Sequence, residues 1–399
     1  FRMHRNVFFV LFLIIPSIYT EEATQCYHKL KWSTVKSRIV VNNQSLVIKG
    51  VNYHGFESNT FSPHGLWDSG SGGKDLNDFM DFIKNNNFNA IRVPFSLELV
   101  RDNPIANSID CEKNPRLCNI SAMRMLDIFI NRAAERGLLI VLSNHRFKGR
   151  SYSKSPPLWY TSEYSEDQVI SLWRTLILRY RNQWNVFAID LKSQPNGNAT
   201  WGNSNSKTDW NKAAERMISR LSAFEGFFFV NGVDWGNQLT NADEFPINTG
   251  SEKLNNRVIY APHCYGPAVY EAPYFNASDF PTNLDAIYME KYAFLAKKGY
   301  PVVIGEWGGN AEPGTKDAKW NDWFVEWLRS KCLTNNFYWC LNPNYKYTGG
   351  LLEDDWRTPV KRKIDLVNRL QPQPTTFKAQ DGKICITRGV FQDVECRQN

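Results

Sequence analysis

The chain has 399 residues, 42% hydrophobic and 14% aromatic, which is enough apolar material for a sizeable core and leaves no block of the composition that disorder requires. Its net charge of +7 is mild and scattered, so no nucleic-acid surface is expected, and Lys361, Arg362 and Lys363 are read as a solvated helix face. Eight cysteines without CxxC or zinc spacing argue against a metal site and for disulfides in an oxidising compartment.

The first elements read as a leader. Met3, His4 and Arg5 precede an almost wholly apolar run over 7–18, and Glu21 and Glu22 follow. That run is too short to span a bilayer comfortably and has the layout of a secretory signal peptide. Phe1 and Arg2 lie upstream of the first start methionine, and cleavage is expected between Thr20 and Thr24. Residues 1–20 are thus assigned to the leader, and the mature form is expected to be secreted, extracellular and free of membrane segments. Loss of Arg2 and Arg5 leaves a charge of +5. Asn43, Asn119, Asn198 and Asn276 head Asn-x-Ser/Thr triplets, two or three of which are expected to carry glycans.

From residue 37, short apolar runs alternate with amphipathic segments. The runs cover 48–53, 89–95, 138–143, 186–191, 227–230, 258–261, 301–304 and 336–340, without helical periodicity. Helical patterns lie between them at 74–84, 122–136, 166–181, 210–224, 283–298 and 320–331. Eight strands alternating with helices predict an α/β fold, a parallel (β/α)8 or TIM barrel, over 21–370. Such a barrel carries its reactive groups at the C-terminal strand ends, where polar and aromatic clusters recur here. Residues 371–374, Gln-Pro-Gln-Pro, read as an extended linker, and 371–399 as a disulfide-pinned tail on the barrel. Cys111 with Cys118 and Cys385 with Cys396 are expected as local loops. Cys332 with Cys340 is disfavoured, because an extended run holds the two apart.

Seven segments then carry a resemblance: KGVNYHGFES (49–58), PHGLWD (63–68), NAIRVPFS (89–96), VLSNHR (141–146), APHCYGP (261–267), VVIGEWGG (302–309) and YWCLNPN (338–344). In this order they resemble glycoside hydrolase family 5, particularly its cellulases that cleave β-1,4-glucan. The resemblance implies a retaining mechanism, for which two carboxyls about 5–5.5 Å apart are needed. It implies Glu306 as nucleophile, His263 and Tyr265 as its positioning pair, Arg92 as the cation that keeps it ionised, and His145 as a lining residue. Trp339 resembles the platform beneath the sugar at the cleavage point. His54, His64, Trp67, Trp235, Trp307 and Asn342 are expected to join it in substrate binding. No cofactor is implied, and the partner is a β-glucan met by a monomer.

The fourth strand departs from the pattern. Where the family has Asn-Glu-Pro, commonly followed by His, this chain reads Ser193, Gln194, Pro195 and Asn196. Gln194 thus takes the acid/base position, and Ser193 takes that of the asparagine that contacts the sugar 2-hydroxyl. An amide keeps the shape of the carboxyl yet delivers no proton, and general acid catalysis is worth roughly 10²–10⁴-fold. After Asn344, Tyr345 and Tyr347 replace an expected small polar loop, either adding stacking surface or blocking part of the cleft. The leading expectation is therefore a carbohydrate-binding pseudoenzyme with severely impaired hydrolysis. The alternative is an active retaining endo-β-1,4-glucanase with a substitute acid, Asp234 or Glu163. The third is a non-catalytic decoy or protein-binding barrel. The polymer stays open among cellulose, mixed-linkage glucan, xyloglucan and mannan.

Overall fold

The computed structural model describes residues 24–67, 74–149, 156–344, 348–391 and 396. The leader and the pair Tyr345 and Tyr347 lie outside them. The apolar runs form parallel strands at eight positions around a barrel: Lys49–Asn52, Ala90–Ser96, Leu139–Arg146, Val186–Asp190, Phe227–Val230, a divided sixth strand, Ile304–Gly308 and Asn336–Tyr338. Pro262 cannot donate to a ladder and divides the sixth strand into Val258–Tyr260 and His263–Tyr265. The first piece pairs with the fifth strand and the second with the seventh, while the eighth pairs with the first. A Tyr260–Val302 bridge completes the ring. This is the barrel that the alternating pattern predicts.

Side-chain alternation sorts the apolar residues into two cores. Leu139 and Val141 point inward with Ala90, Phe187, Phe229, Val303 and Phe337, whereas Ile140 and Leu142 join the outer layer against the helices. The helices present matching stripes. In Leu76–Asn85 the buried residues are Leu76, Phe79, Met80 and Ile83, and Asp75 caps the helix by accepting from Asn77 N at 2.6 Å. Ser165 and Gln168 form a reciprocal capping box on Glu166–Arg179.

Four expectations are corrected. The seventh strand begins at Ile304, where the predicted run ends, and continues through Gly305 to Gly308. The segment predicted as one helix over 283–298 contains a π turn, Met289–Ala293, between Leu284–Tyr288 and Phe294–Lys297. Lys363 is buried on the helix Lys361–Leu370 and donates to Thr348 O at 2.6 Å, so only Lys361 and Arg362 form a solvated face. Cys385 pairs with Cys26 and Cys396 with Cys332, leaving Cys111–Cys118 as the local loop.

The end of the barrel opposite the catalytic-type clusters is plugged. Trp32, Ile39 and Val41, from the antiparallel strands Trp32–Val35 and Arg38–Val41, pack on Phe187 and Phe227. The hairpin of Thr376–Gln380 and Lys383–Thr387 pairs with Gln25–Tyr27 and adds Phe377, Ile384 and Ile386 to the same core. The stretch read as a linker is held at both ends: Gln371 and Pro374 are buried, and the next residue, Thr375, exchanges hydrogen bonds with Val47. Among the described residues no helix is long and apolar enough to cross a membrane.

Candidate active site

Glu306 sits on the seventh strand, inside the mouth of the barrel and 2% exposed. Its direction has a local cause. Ile304 and Trp307 both belong to the outer core although they are three residues apart, and the register shifts between them. That irregularity resets the alternation, so Trp307 points outward and Glu306 inward. Around the carboxylate, Arg92 Nη1 donates to Oε1 at 2.5 Å and the Tyr265 hydroxyl donates to Oε2 at 2.7 Å. His263 Nδ1 lies 3.3 Å from Oε2, and His145 Nδ1 lies 4.0 Å from Oε1. Burial opposes ionisation, but the charges of His263 and Arg92 outweigh it and hold the carboxyl well below the usual carboxylate range.

Arg92, fully buried on the second strand, ties this centre together. Its Nη1 also donates to Asn52 Oδ1 at 2.8 Å, its Nη2 to Asp190 Oδ2 at 2.7 Å, and its Nε to the same oxygen at 3.1 Å. Asp190 accepts further from Ser143 at 2.9 Å and Asn231 at 3.1 Å, so its charge is compensated on both oxygens. The Ser193 hydroxyl accepts from Arg92 Nη2 at 3.0 Å and is therefore turned into the protein.

Gln194 faces Glu306 across His263. Its Nε2 is 3.2 Å from the same ring nitrogen, so its separation from Glu306 Oε2 cannot exceed the lower edge of the roughly 6.5–9.5 Å that an inverting pair needs. The amide meets either ring tautomer, donating or accepting as the imidazole requires. Gln194 adopts φ +55°, a left-handed backbone, held by Gln194 N donating to Asn231 Oδ1 at 3.0 Å and by Asn196 Nδ2 donating to its carbonyl at 3.0 Å. The adjoining loop continues the strain: Asp234, Trp235 and Gly236 have φ of 51°, 60° and 88°. A side chain on Gly236 would press on the His263 ring at 3.1 Å. Trp235 N donates to Pro195 O at 3.1 Å, and Trp235 is 47% exposed.

The remaining wall is aromatic. Trp339 lies nearly parallel to His54 and to His145, with ring centroids 5.6 and 5.7 Å away. His64 packs edge-on against His54 and against Trp67. Burial, then the nearby Arg146, lowers the His54 pKa to about 4, and burial with His54 lowers that of His64 to about 4. Burial also holds His145 well below its ordinary value. At neutral pH the His54, His64 and His145 rings of this wall are therefore uncharged.

The model of the cellulase family, glycosyl hydrolase family 5, matches residues 45–345. The chain belongs to glycoside hydrolase family 5. An endoglucanase of Paenibacillus polymyxa is 35% identical over 357 residues, covering 86% of this chain and 87% of that protein. The major extracellular endoglucanase of Xanthomonas campestris is 35% identical over 356 residues, 85% of this chain and 71% of the relative. Among solved structures, an endocellulase of Pyrococcus horikoshii in complex with cellotetraose superposes with a TM-score of 0.80 at 32% identity, covering 87% of this chain and all of that one. The catalytic domain of the Xanthomonas enzyme gives a TM-score of 0.79 at 34% identity, over 85% and 99% of the two chains.

Within this family 5 barrel, Arg92, His145, Ser193, Gln194, His263, Tyr265 and Glu306 converge on one point, and His54, His64, Trp67, Trp235 and Trp339 border it. Two expected sugar contacts lie elsewhere. Trp307 is fully buried, donating to Asn336 Oδ1 at 2.8 Å and packing on Tyr338, so it supports the strand behind Glu306. Asn342 is buried and brackets the His54 backbone, accepting from its N–H and donating to its carbonyl, both at 3.1 Å. Glu163 is exposed, and its carboxylate is paired with Arg101 and Lys148. Asn52, Ser143 and Asn231 were missed by sequence reasoning. Each is a polar residue ending or following an apolar strand, the one signal that marks them.

Proposed function

We propose that this chain engages β-1,4-linked glucan in the cleft at the barrel mouth, as an extracellular family 5 endoglucanase homologue in which the proton-donating half of the retaining machinery is disabled. The observation that carries the reading is Gln194, an amide that shares His263 with Glu306 where a second carboxyl is required. Glu306 is cast as the nucleophile, kept ionised by Arg92 and His263 and aligned by the Tyr265 hydroxyl. Trp339 and the neutral imidazoles of His54 and His145 supply apolar faces for pyranose C–H surfaces. The cellotetraose complex of the Pyrococcus endocellulase supports β-glucan as the ligand class. Secretion accords with the three disulfides and with the extracellular Xanthomonas relative.

A second reading, hydrolysis of β-1,4-glucan, is favoured by the endoglucanase relatives named above. It requires an acid other than Gln194. Asp234 is exposed on the strained loop that carries Trp235, which makes it the nearest candidate in sequence to the cleft rim. Calorimetric titration with cellotetraose tests the shared part of both readings. Saturable binding, lost in Trp339→Ala, is expected, and no binding leaves only a role for the outer surface. Because burial keeps His54 and His64 neutral above about pH 5, their contribution to the affinity for this uncharged ligand should be flat between about pH 5.5 and 8.

A further inference from the structure

We infer that Asn119, Asn198 and Asn276 carry N-linked oligosaccharides that form a collar around the barrel mouth. The collar admits single dissolved glucan chains and holds the cleft off the face of solid polymer. The inference rests on the reading of the mouth as a β-glucan site and adds the physical form of the ligand that reaches it. Each asparagine heads an Asn-x-Ser/Thr triplet, ending at Ser121, Thr200 and Ser278. Each is exposed, and among the described residues none of the three amide nitrogens donates a hydrogen bond. Lys316 donates to Asn276 Oδ1, which leaves Nδ2 for a sugar. In the attaching step Nδ2 bonds the anomeric carbon of an oligosaccharide carried on a lipid diphosphate. The diphosphate leaves with the electron pair of the broken bond, and the amide gives up one proton.

The C-terminal end of each barrel strand feeds the mouth. The three triplets lie on the loops after the second, fourth and sixth strands, so they are two strand positions apart around the ring. The loop bearing Asn119 is bonded to the wall segment that holds His64 and Trp67, through Asn107 N to Thr60 O at 2.9 Å and Asp110 N to Leu66 O at 2.6 Å. Asn198 stands in the turn closed by Ala199 N donating to Asn196 O at 3.0 Å, and Asn196 holds the Gln194 carbonyl. Asn276 ends the short helix Pro273–Asn276, and its partner Lys316 opens the helix that follows the strand of Glu306. Asn43 heads the fourth triplet from the hairpin of Arg38–Val41 and Gln44–Ser45, at the plugged end. Glycans are bulky and hydrated. A slender chain passes between them, whereas a flat polymer face meets them before it meets Trp339.

The test uses the full chain secreted from a eukaryotic host. Peptide mapping after N-glycanase treatment in isotope-labelled water should show all three asparagines converted to labelled aspartate. An unlabelled Asn119, Asn198 or Asn276 would overturn the assignment. Asn119→Gln/Asn198→Gln/Asn276→Gln should raise retention on amorphous cellulose particles at least about fivefold, with the affinity for cellotetraose unchanged. Enzymatic deglycosylation of the folded glycoprotein should give the same gain, so the result does not hang on the folding of the triple variant. Equal retention before and after deglycosylation would overturn the collar. Asn43→Gln should leave retention as it was, and a gain equal to that of the triple variant would overturn the role assigned to the mouth. Cellotetraose titration in parallel separates the two readings: binding with unchanged retention overturns this inference alone, and no binding by either form overturns the proposed function as well.

Discussion

At residue scale the site depends on one buried cation. Arg92 balances Glu306 and Asp190 and reaches Asn52 and Ser193, all out of contact with water. Arg92→Met would leave two carboxylates buried without their partner, so a loss of about 3–5 kcal/mol is expected in denaturant unfolding. Glu306 supplies the matching pH dependence. Its folded pKa is depressed, so its contribution to stability is fully present above the unfolded value of 4.5 and is lost as pH falls toward the folded value. The melting-temperature gap between the natural protein and Glu306→Gln should therefore be constant from about pH 5.5 upward and close below about pH 4.5. A gap that widens on acidification would reverse the sign assigned to Arg92 and His263. Most of this centre was legible in the sequence, because strand-end motifs keep residue type and order together. Trp307 was not, since its position next to Glu306 says nothing about the bulge that turns it outward. Asn342 sits at a strand end like the true lining residues, and only its bonds to the His54 backbone show it to be a brace.

At the scale of elements, the barrel strands and the main helices were legible from periodicity, and the errors fell where long-range contacts decide. The seventh strand runs four residues past the predicted end at Ile304, because Gly305 and Gly308 weaken the apolar signal while pairing keeps the chain extended. Spacing suggested Cys385 with Cys396, but the tail hairpin pairs with Gln25–Tyr27 and brings Cys26 opposite Cys385 in register. That bridge joins residues 359 apart, whereas Cys111–Cys118 spans seven. Loop-closure entropy grows with the enclosed length, so Cys26→Ser/Cys385→Ser should cost about 3–5 kcal/mol and Cys111→Ser/Cys118→Ser about 2–3 kcal/mol. Equilibrium unfolding of the two double variants checks the order. Equal losses would mean that the hairpin stays docked through Phe377 and Ile386 without its bridge.

At the scale of the whole molecule, the barrel separates its work between two ends. The plug of Trp32, Phe187, Phe227 and Phe377 and the tail disulfide close one end, and the catalytic-type residues gather at the other. The frame of a family 5 hydrolase is kept through Glu306, while the fourth strand presents Ser193 and Gln194. The central claim is that proton delivery, and not fold or nucleophile, is what this protein lacks. Product release from cellotetraose by the natural protein, beside Ser193→Asn/Gln194→Glu at matched concentration, tests it most directly. The account predicts that the double variant cleaves at least about 10²-fold faster than the natural protein. Comparable rates for the two would contradict it and place the proton donor on a residue other than Gln194.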